Sequence, residues 1–334
     1  MKFTYNYLAL GLLITGIMAT SCGDDKPNKP QTPTAQPTQQ VQQKPYVTPP
    51  AFNVDSAYAF LAKQVSFGPR IPNTPAQKKC AEWLEAKLKS YTPDVIVQTA
   101  TVTAHTGENL PMYNIMARFK PESSNRILLC AHWDTRPFAD MDKNNKNARL
   151  DGADDGGSGT AILIEIARLL AQTPTEAGID IVLFDVEDYG TNEGGADSYC
   201  LGSQYWSKNL PVPNYVAKYG ILLDMVGAKG AKFAREGYSM QVAPSVVEKV
   251  WSTAKRLGHG AYFTDEVTPA ITDDHVYVRK YTGIPVIDII NYGRHNGETG
   301  FGSHWHTRND NLANIDKNVL TAVGQTVLDV IYNE

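Results

Sequence analysis

Cysteine is scarce: four in 334 residues, at positions 22, 80, 130 and 200. No two stand in a C-x-x-C spacing, so a cysteine-built zinc site is excluded and no disulfide framework is indicated. Cys130 lies inside an apolar run and Cys80 on one face of a helical pattern, where both serve as small buried hydrophobes. One disulfide stays open in an oxidising compartment. An excess of basic charge is also missing. Lys and Arg number 31 against 35 Asp and Glu, net −4, and no Lys/Arg stripe is visible, so nucleic acid is not expected as a partner. After residue 22 no run is apolar enough to span a membrane. HExxH is absent, which excludes the helical zinc-protease pattern. GxSxG is absent, which argues against a serine hydrolase. The glycine-rich run 152–159 lacks the Lys-Ser/Thr of a P-loop, and its two acids would repel a phosphate. No internal repeat is visible.

The N-terminus stands apart. Lys2 precedes an uncharged, mostly apolar run, Phe3 to Ala19, then small residues before Cys22. That is the layout of an export signal, and small residues ahead of a Cys resemble a bacterial lipoprotein signal, in which the Cys is lipidated after cleavage. A plain signal peptide or an uncleaved anchor is the other reading. Residues 23–50 hold seven prolines among Gln and Thr and have little to bury, so they read as an extended, disordered tether. The expectation is a lipid-anchored, exported protein facing the periplasm of a Gram-negative bacterium, its soluble domain held off the bilayer.

Residues 51–334 read as one α/β domain with a mainly parallel central sheet flanked by helices. Asn53 caps a helix over 54–65. Thr74-Pro75-Ala76-Gln77 has capping-box spacing and opens a helix to about Lys89. Segments 94–103 and 113–119 alternate as strands and suit a hairpin at the sheet edge. Continuous apolar strands follow at 126–131, 179–185, 219–224 and 284–290, separated by helices at 158–170 and 245–257. A final amphipathic helix covers 317–332. Strands apolar throughout, alternating with helices, imply a parallel sheet covered on both faces.

The chemistry gathers where those strands end. After 126–131 comes His132-Trp133-Asp134. Gly152-Ala153-Asp154-Asp155-Gly156-Gly157-Ser158-Gly159 leads into a helix. Ile179–Asp185 is followed by Glu187 and Asp188, and Tyr219–Leu223 by Asp224. Asp273-Asp274-His275 precedes the last core strand, and His304-Trp305-His306-Thr307 follows it. Imidazole and carboxylate therefore converge from several segments on the carboxyl edge of one sheet, where open α/β folds place ligands. That mixture suits zinc above other cations.

In this order, HWD, GADDGGSG, FDVED, LLDMVGA and HWHT resemble the zinc aminopeptidase superfamily, and within it the animal-type glutaminyl-peptide cyclotransferases, found also as bacterial exported lipoproteins. The resemblance covers nearly all of 51–334. It implies that Asp155, Asp188 and His306 hold the one zinc per chain that cyclases retain. It places His132 and Asp224 where aminopeptidases hold a second zinc, and Glu187 at the general base. It gives Asp224 instead, in cyclases, to an acidic network with Asp273 or Asp274, a register the spacing leaves open, with Asp288 a further candidate. Asp188 departs from the Glu common there; it is one methylene shorter, so the metal sits closer to the strand end.

Three features favour the cyclase. Trp305 precedes His306 and gives a wall for a small flat substrate. Trp133 stands beside His132, where it would close off room for a second ion. Residues 189–199 intervene before Leu201-Gly202-Ser203 as a loop at the site's mouth. The implied reaction cyclises an N-terminal Gln of a peptide to pyroglutamate, releasing ammonia, in a pocket of Trp305, Trp133 and Phe301. The alternatives are a two-zinc aminopeptidase using the same residues and a non-catalytic binding domain. A monomer is expected.

Overall fold

The computed structural model describes residues 45–334. The signal segment, Cys22 and most of the tether lie outside the described residues. The folded unit begins at Tyr46, ahead of the expected boundary at residue 51. The Tyr46 hydroxyl donates to Asp329, Val47 N donates to Asn333, and Phe52 is buried. The end of the expected tether thus runs along the C-terminal helix.

Helices α1 (Val54–Val65) and α2 (Pro75–Lys89) open the unit. Each carries the cap its sequence offers: the Asn53 side chain accepts from Ser56 N and that of Thr74 from Gln77 N. Pro75 occupies the first turn of α2, where its missing N–H leaves no bond unmade. Strands β1 (Val95–Thr103) and β2 (Asn109–Phe119) form an antiparallel hairpin. Then come β3 (Arg126–His132), α3 (Gly157–Gln172), β4 (Gly178–Phe184), α4 (Leu201–Lys208) and β5 (Tyr219–Asp224). They are followed by β6 (Phe233–Arg235), α5 (Gly237–Val242), α6 (Pro244–Arg256), β7 (Phe263–Val267), α7 (Asp274–Thr282), β8 (Val286–Ile290) and α8 (Lys317–Tyr332). Among these, α5, α7 and the β6–β7 pair are short elements that the sequence pattern does not announce. Strand β8 begins two residues later than expected, because Pro285 has no N–H to donate to the ladder.

The main sheet has the order β1-β2-β4-β3-β5-β8. Strands β4, β3, β5 and β8 run parallel, with β2 antiparallel to β4. All residues of β3, β4, β5 and β8 are buried, which is why they read as unbroken apolar runs. The period of two divides them between two cores. Ile127, Leu129, Ile181, Leu183 and Ile221 face a large cluster with α1, α3 and α8. Leu128, Cys130, Val182, Phe184 and Leu222 face a smaller one that includes Trp206 of α4 and Val278 of α7. No helix among the described residues is long and apolar enough to cross a membrane. Cys80, Cys130 and Cys200 are free thiols, all buried.

Trp133 belongs to this core, and here the sequence expectation is corrected. The side chain is fully buried in the α1–α3–α8 cluster and its indole N–H donates to Tyr113 O. Successive residues of an extended chain point to opposite sides. His132 faces the sheet's carboxyl edge, so Trp133 turns inward, away from the second-ion position it was expected to block. A Trp buried in this way is worth about 3–5 kcal/mol relative to Ala.

One buried carboxylate fixes the segment leading to α7. Glu236 caps α5, accepting from Tyr238 N, Ser239 N and Ser239 Oγ. It also accepts from Ile271 N at 3.0 Å, and His275 Nε2 lies 3.2 Å away. Burial alone would raise this carboxyl. The hydrogen bond and charge of His275, with the N–H groups, hold it down to about 2. An unfolded Glu titrates near ~4.3. The native value is the lower one, so the stabilisation is complete above about pH 5 and is lost as pH falls toward 2. We expect Glu236→Gln to cost on the order of 2 kcal/mol at pH 7 and to flatten the loss of stability between about pH 5 and 2. Urea midpoints across that range measure both; an unchanged acid limb would show that Glu236 does not carry it.

Candidate active site

The parallel strands deliver their carboxyl ends to one edge, and backbone clamps arrange the loops that leave it. Arg70 is wholly buried and donates to three carbonyls, those of Trp133, Asp151 and Gly152. Asp310 accepts from Asp154 N and Asp155 N at 2.7 and 3.1 Å. Asp134 accepts from Glu187 N and Asp188 N at 3.0 and 3.2 Å. At Gly156, φ is +83°, and a Cβ would lie 2.5 Å from Asp134 O and 2.9 Å from the His132 ring. Only glycine lets α3 start so close to that imidazole. Val186, Met225 and His306 all have positive φ, between 48° and 54°. For the β-branched Val186 this is a strained turn, sustained by the buried packing around it.

Two groups of candidate ligands share Asp155. In the first, ligand atoms of Asp155, Asp188 and His306 lie within 4.8 Å of one another. His306 Nε2 is 3.4 Å from Asp188 Oδ1 and 3.8 Å from Asp155 Oδ2. In the second, His132 Nε2 is 3.0 Å from Asp155 Oδ1 and 3.2 Å from Asp224 Oδ1. All five residues are buried. Burial alone would lower the His306 imidazole, but the Asp188 charge and the hydrogen bonds to Asp140 and Asp188 raise it to about 9. His132 is likewise lowered by burial and carried well above the usual range by Asp134, Asp155 and Asp224. The pocket therefore demands positive charge. Asp188 Oδ2 is buried with no hydrogen-bond partner, an acceptor that a cation would satisfy. Imidazole nitrogen and carboxylate oxygen both ligate zinc, so the residues fit that ion.

A second layer, which sequence reasoning did not reveal, holds these ligands. Arg136 Nη1 donates to Asp188 Oδ1 at 3.0 Å and to the carbonyls of Asp188 and Gly190. Its Nε and Nη2 form a two-point pair with Asp140. Asp140 in turn lies 3.1 Å from His306 Nδ1, which leaves Nε2 turned toward the ligand set. Burial would raise the Asp140 carboxyl, but His306 and Arg136 bring it below the ordinary carboxylate range.

The remaining acids form the floor of a cavity of ≈ 430 Å³, lined by Glu187, Tyr199, Asp273, Phe301, Trp305 and His306 among others. Burial, then the charges of Asp188, Asp273 and Asp274, lifts Glu187 well above the usual range against the pull of His132. The Cys200 thiol donates to Glu187 Oε1 at 3.1 Å, and Cys200 N donates to Glu187 O. Asp273 faces the cavity. Asp274, adjacent on α7, is wholly buried behind it and does not line it. Asp273, His275 and Asp288 converge within 4.8 Å, and Asp273 Oδ2 and both Asp288 oxygens lack a donor. Burial and the Asp273 charge push the Asp288 carboxyl well above the usual range. Trp305 stacks on His306 at 3.8 Å and on Phe301 at 4.4 Å. Of the expected pocket aromatics, Trp305 and Phe301 are in place and Trp133 is not.

A buried ligand set at the carboxyl edge of a mixed sheet, with a carboxylate beside it, defines a metallo-exopeptidase-type α/β domain. The chain belongs to peptidase family M28, whose model matches residues 114–331. Among solved structures it is similar to the Porphyromonas gingivalis glutaminyl cyclase: 55% identity, TM-score 0.81, covering 84% of this chain and 97% of that one. It is also similar to a Zn-dependent exopeptidase from Parabacteroides distasonis: 53% identity, TM-score 0.84, covering 86% and 100%. Against the Bacillus subtilis aminopeptidase YwaD, identity is 26% over 239 residues, 70% of this chain and 47% of that protein, so the chain spans about half of that relative's length.

The second layer makes a separable prediction. Asp140→Asn should weaken zinc binding about 10- to 100-fold with little change in thermal midpoint, read by competition with a chromophoric chelator. Unaltered zinc affinity would show that Asp140 does not orient His306.

Proposed function

We propose that this domain cyclises N-terminal glutamine of peptides and proteins to pyroglutamate, releasing ammonia, as a zinc-dependent glutaminyl-peptide cyclotransferase. The observation that carries the reading is the likeness, across the whole folded domain, to a solved bacterial glutaminyl cyclase. The cavity gives it a physical basis. It is small, walled by the Trp305–Phe301 stack, and floored by carboxyl groups whose burial makes them strong proton acceptors.

Asp155, Asp188 and His306 would hold the zinc. Bound there, it supplies Lewis acidity to the substrate's γ-carboxamide oxygen. The protein's own residues do the rest. The substrate's α-amine forms a bond to its γ-carbonyl carbon, and the bond from that carbon to the amide nitrogen breaks. Glu187 takes the proton the amine must lose and returns it to the departing ammonia. Asp224 and Asp273 accept hydrogen bonds from the amine. Closure is intramolecular, so the stacked aromatics contribute by holding the side chain folded back on its own amine.

A two-zinc aminopeptidase is the second reading, favoured by one observation: His132, Asp155 and Asp224 are close enough to hold another ion. With Trp133 in the core, its indole does not close that position. We further propose that the chain is exported and lipid-anchored at Cys22, on the strength of the small residues before that Cys. Cys22→Ala should then move the protein from the membrane to the soluble fraction; retention in membranes would overturn the anchor.

Purified domain given a Gln-initiated peptide should lose the mass of ammonia, release no free amino acid, and carry one zinc per chain. Leucine release from leucine anilide, with the Gln peptide unchanged and two ions held, would establish the peptidase instead. Glu187→Gln should lower kcat by about 10²- to 10⁴-fold while zinc content stays the same. Intact turnover would remove Glu187 from the role of base.

A further inference from the structure

A second cavity of ≈ 410 Å³ opens beside the catalytic one, and it holds none of the metal-ligand or acid–base residues. The same two chain segments line both. Ile271–Asp273 with Ile290, Phe301, Trp305 and His306 wall the catalytic cavity; Glu266–Pro269 with residues of Tyr292–Gly300 wall the second. A row of rings joins them. From the ligand-set imidazole of His306 it runs through Trp305 and Phe301 to Tyr292, with centroid spacings of 3.8, 4.4 and 4.9 Å. Tyr292 and Phe301 also form a β-bridge. A Cβ at Gly300 would stand 2.3 Å from the Tyr292 ring, so its absence lets that ring lie against the loop. Asn296 Nδ2 ties the same loop by donating to the carbonyls of Asn291 and Gly300.

The walls have a definite polarity. Glu266 is occupied by Arg294, whose Nε donates to it at 3.0 Å. Glu298, four residues beyond Arg294 on the same lining segment, is exposed and has no cationic partner among the described residues. One uncompensated negative charge therefore stands beside an aromatic face and the exposed Val267. This is the chemistry that suits a Lys or Arg side chain, with its stem on apolar surface and its head near a carboxylate.

The geometry points to a subsite for the peptide that follows the N-terminal glutamine, with a preference for basic residues at its second and third positions. The inference rests on the cyclase reading. A substrate whose first residue fills the catalytic cavity must leave through its mouth, and an extended chain advances ~3.3–3.6 Å per residue. The neighbouring cavity, lined by adjoining stretches of the same two segments, receives the next residues.

The test compares kcat/KM for glutamine amide, for Gln peptides with Lys at positions 2 and 3, and for Gln peptides with Glu there, in the full enzyme at low ionic strength. Wild type should favour the Lys peptides over the Glu peptides by about two- to fivefold, the range of one exposed ion pair, and less in high salt. Glu298→Lys should abolish or reverse that ratio and leave glutamine amide turnover unchanged. A wild-type ratio at or below one, a ratio that Glu298→Lys does not move, or an equal loss on all three substrates would overturn the subsite. Failure of wild type to release ammonia from glutamine amide would overturn the cyclase reading itself.

Discussion

Crowded carboxylates are the constraint on which this structure turns. Asp155, Asp188, Glu187, Asp224 and Asp273 border one cavity, and all but Glu187 are buried. Like charges at such spacing in low dielectric repel strongly unless protons or cations intervene. Every neighbouring feature supplies one or the other. Arg136 neutralises Asp188 and Asp140 together; His132 lies between Asp155 and Asp224; burial and the Asp273 charge dispose Asp288 to keep a proton. The ligand set retains an unsatisfied oxygen on Asp188, where an ion completes the arrangement.

Such a cluster cannot hold itself in place, and the backbone is gripped instead. Arg70, Asp134 and Asp310 use their side chains to fix main-chain groups rather than to pair with each other. Asp134 holds the N–H groups of Glu187 and Asp188, Asp310 those of Asp154 and Asp155, and Arg70 the carbonyls of the glycine-rich turn. Hydrogen bonds to charged groups contribute roughly 1.5–3 kcal/mol each, and the Asp134 pair grips the chain directly after the left-handed turn at Val186. The strain is local to the strand ends, where side chains must be aimed rather than packed.

Periodicity and adjacency made part of this legible in the sequence. Unbroken apolar runs marked β3, β4 and β5 because both faces of a central parallel strand are covered. Caps at Asn53 and Thr74 marked the starts of α1 and α2. The candidate ligand set was visible because its members stand in the loops that follow β3, β4 and β8, which topology gathers onto one edge. Arg136 and Asp140 were not visible: their partners lie far along the chain or depend on one loop's path, and neither periodicity nor motif reports a side chain's direction. Trp133 was misplaced for a related reason. Nearness to His132 in sequence suggested nearness in the site, whereas alternation along an extended chain sends the two side chains to opposite sides. The same blindness to side-chain direction left Asp273 and Asp274 unresolved until α7 set one toward the cavity and one behind it.

Alternation also explains how one acidic pair meets two environments. The turn at Val186 releases Glu187 and Asp188 in different directions. Glu187 meets the Cys200 thiol and lies 3.9 Å from His132 Nδ1, while Asp188 meets His306 and Arg136. The two carboxylates answer to opposite electrostatics. Burial raises both, but Asp188, beside His306 and Arg136, ends below the usual range and Glu187 well above it. An anion that stays charged is suited to hold a cation; a carboxylate that gains a proton readily is suited to move one. The shorter side chain of Asp188 is consistent with this division. Arg136 occupies one of its oxygens from the loop side, so a single oxygen is left to face a metal, and the ligand needs no extra methylene to present it.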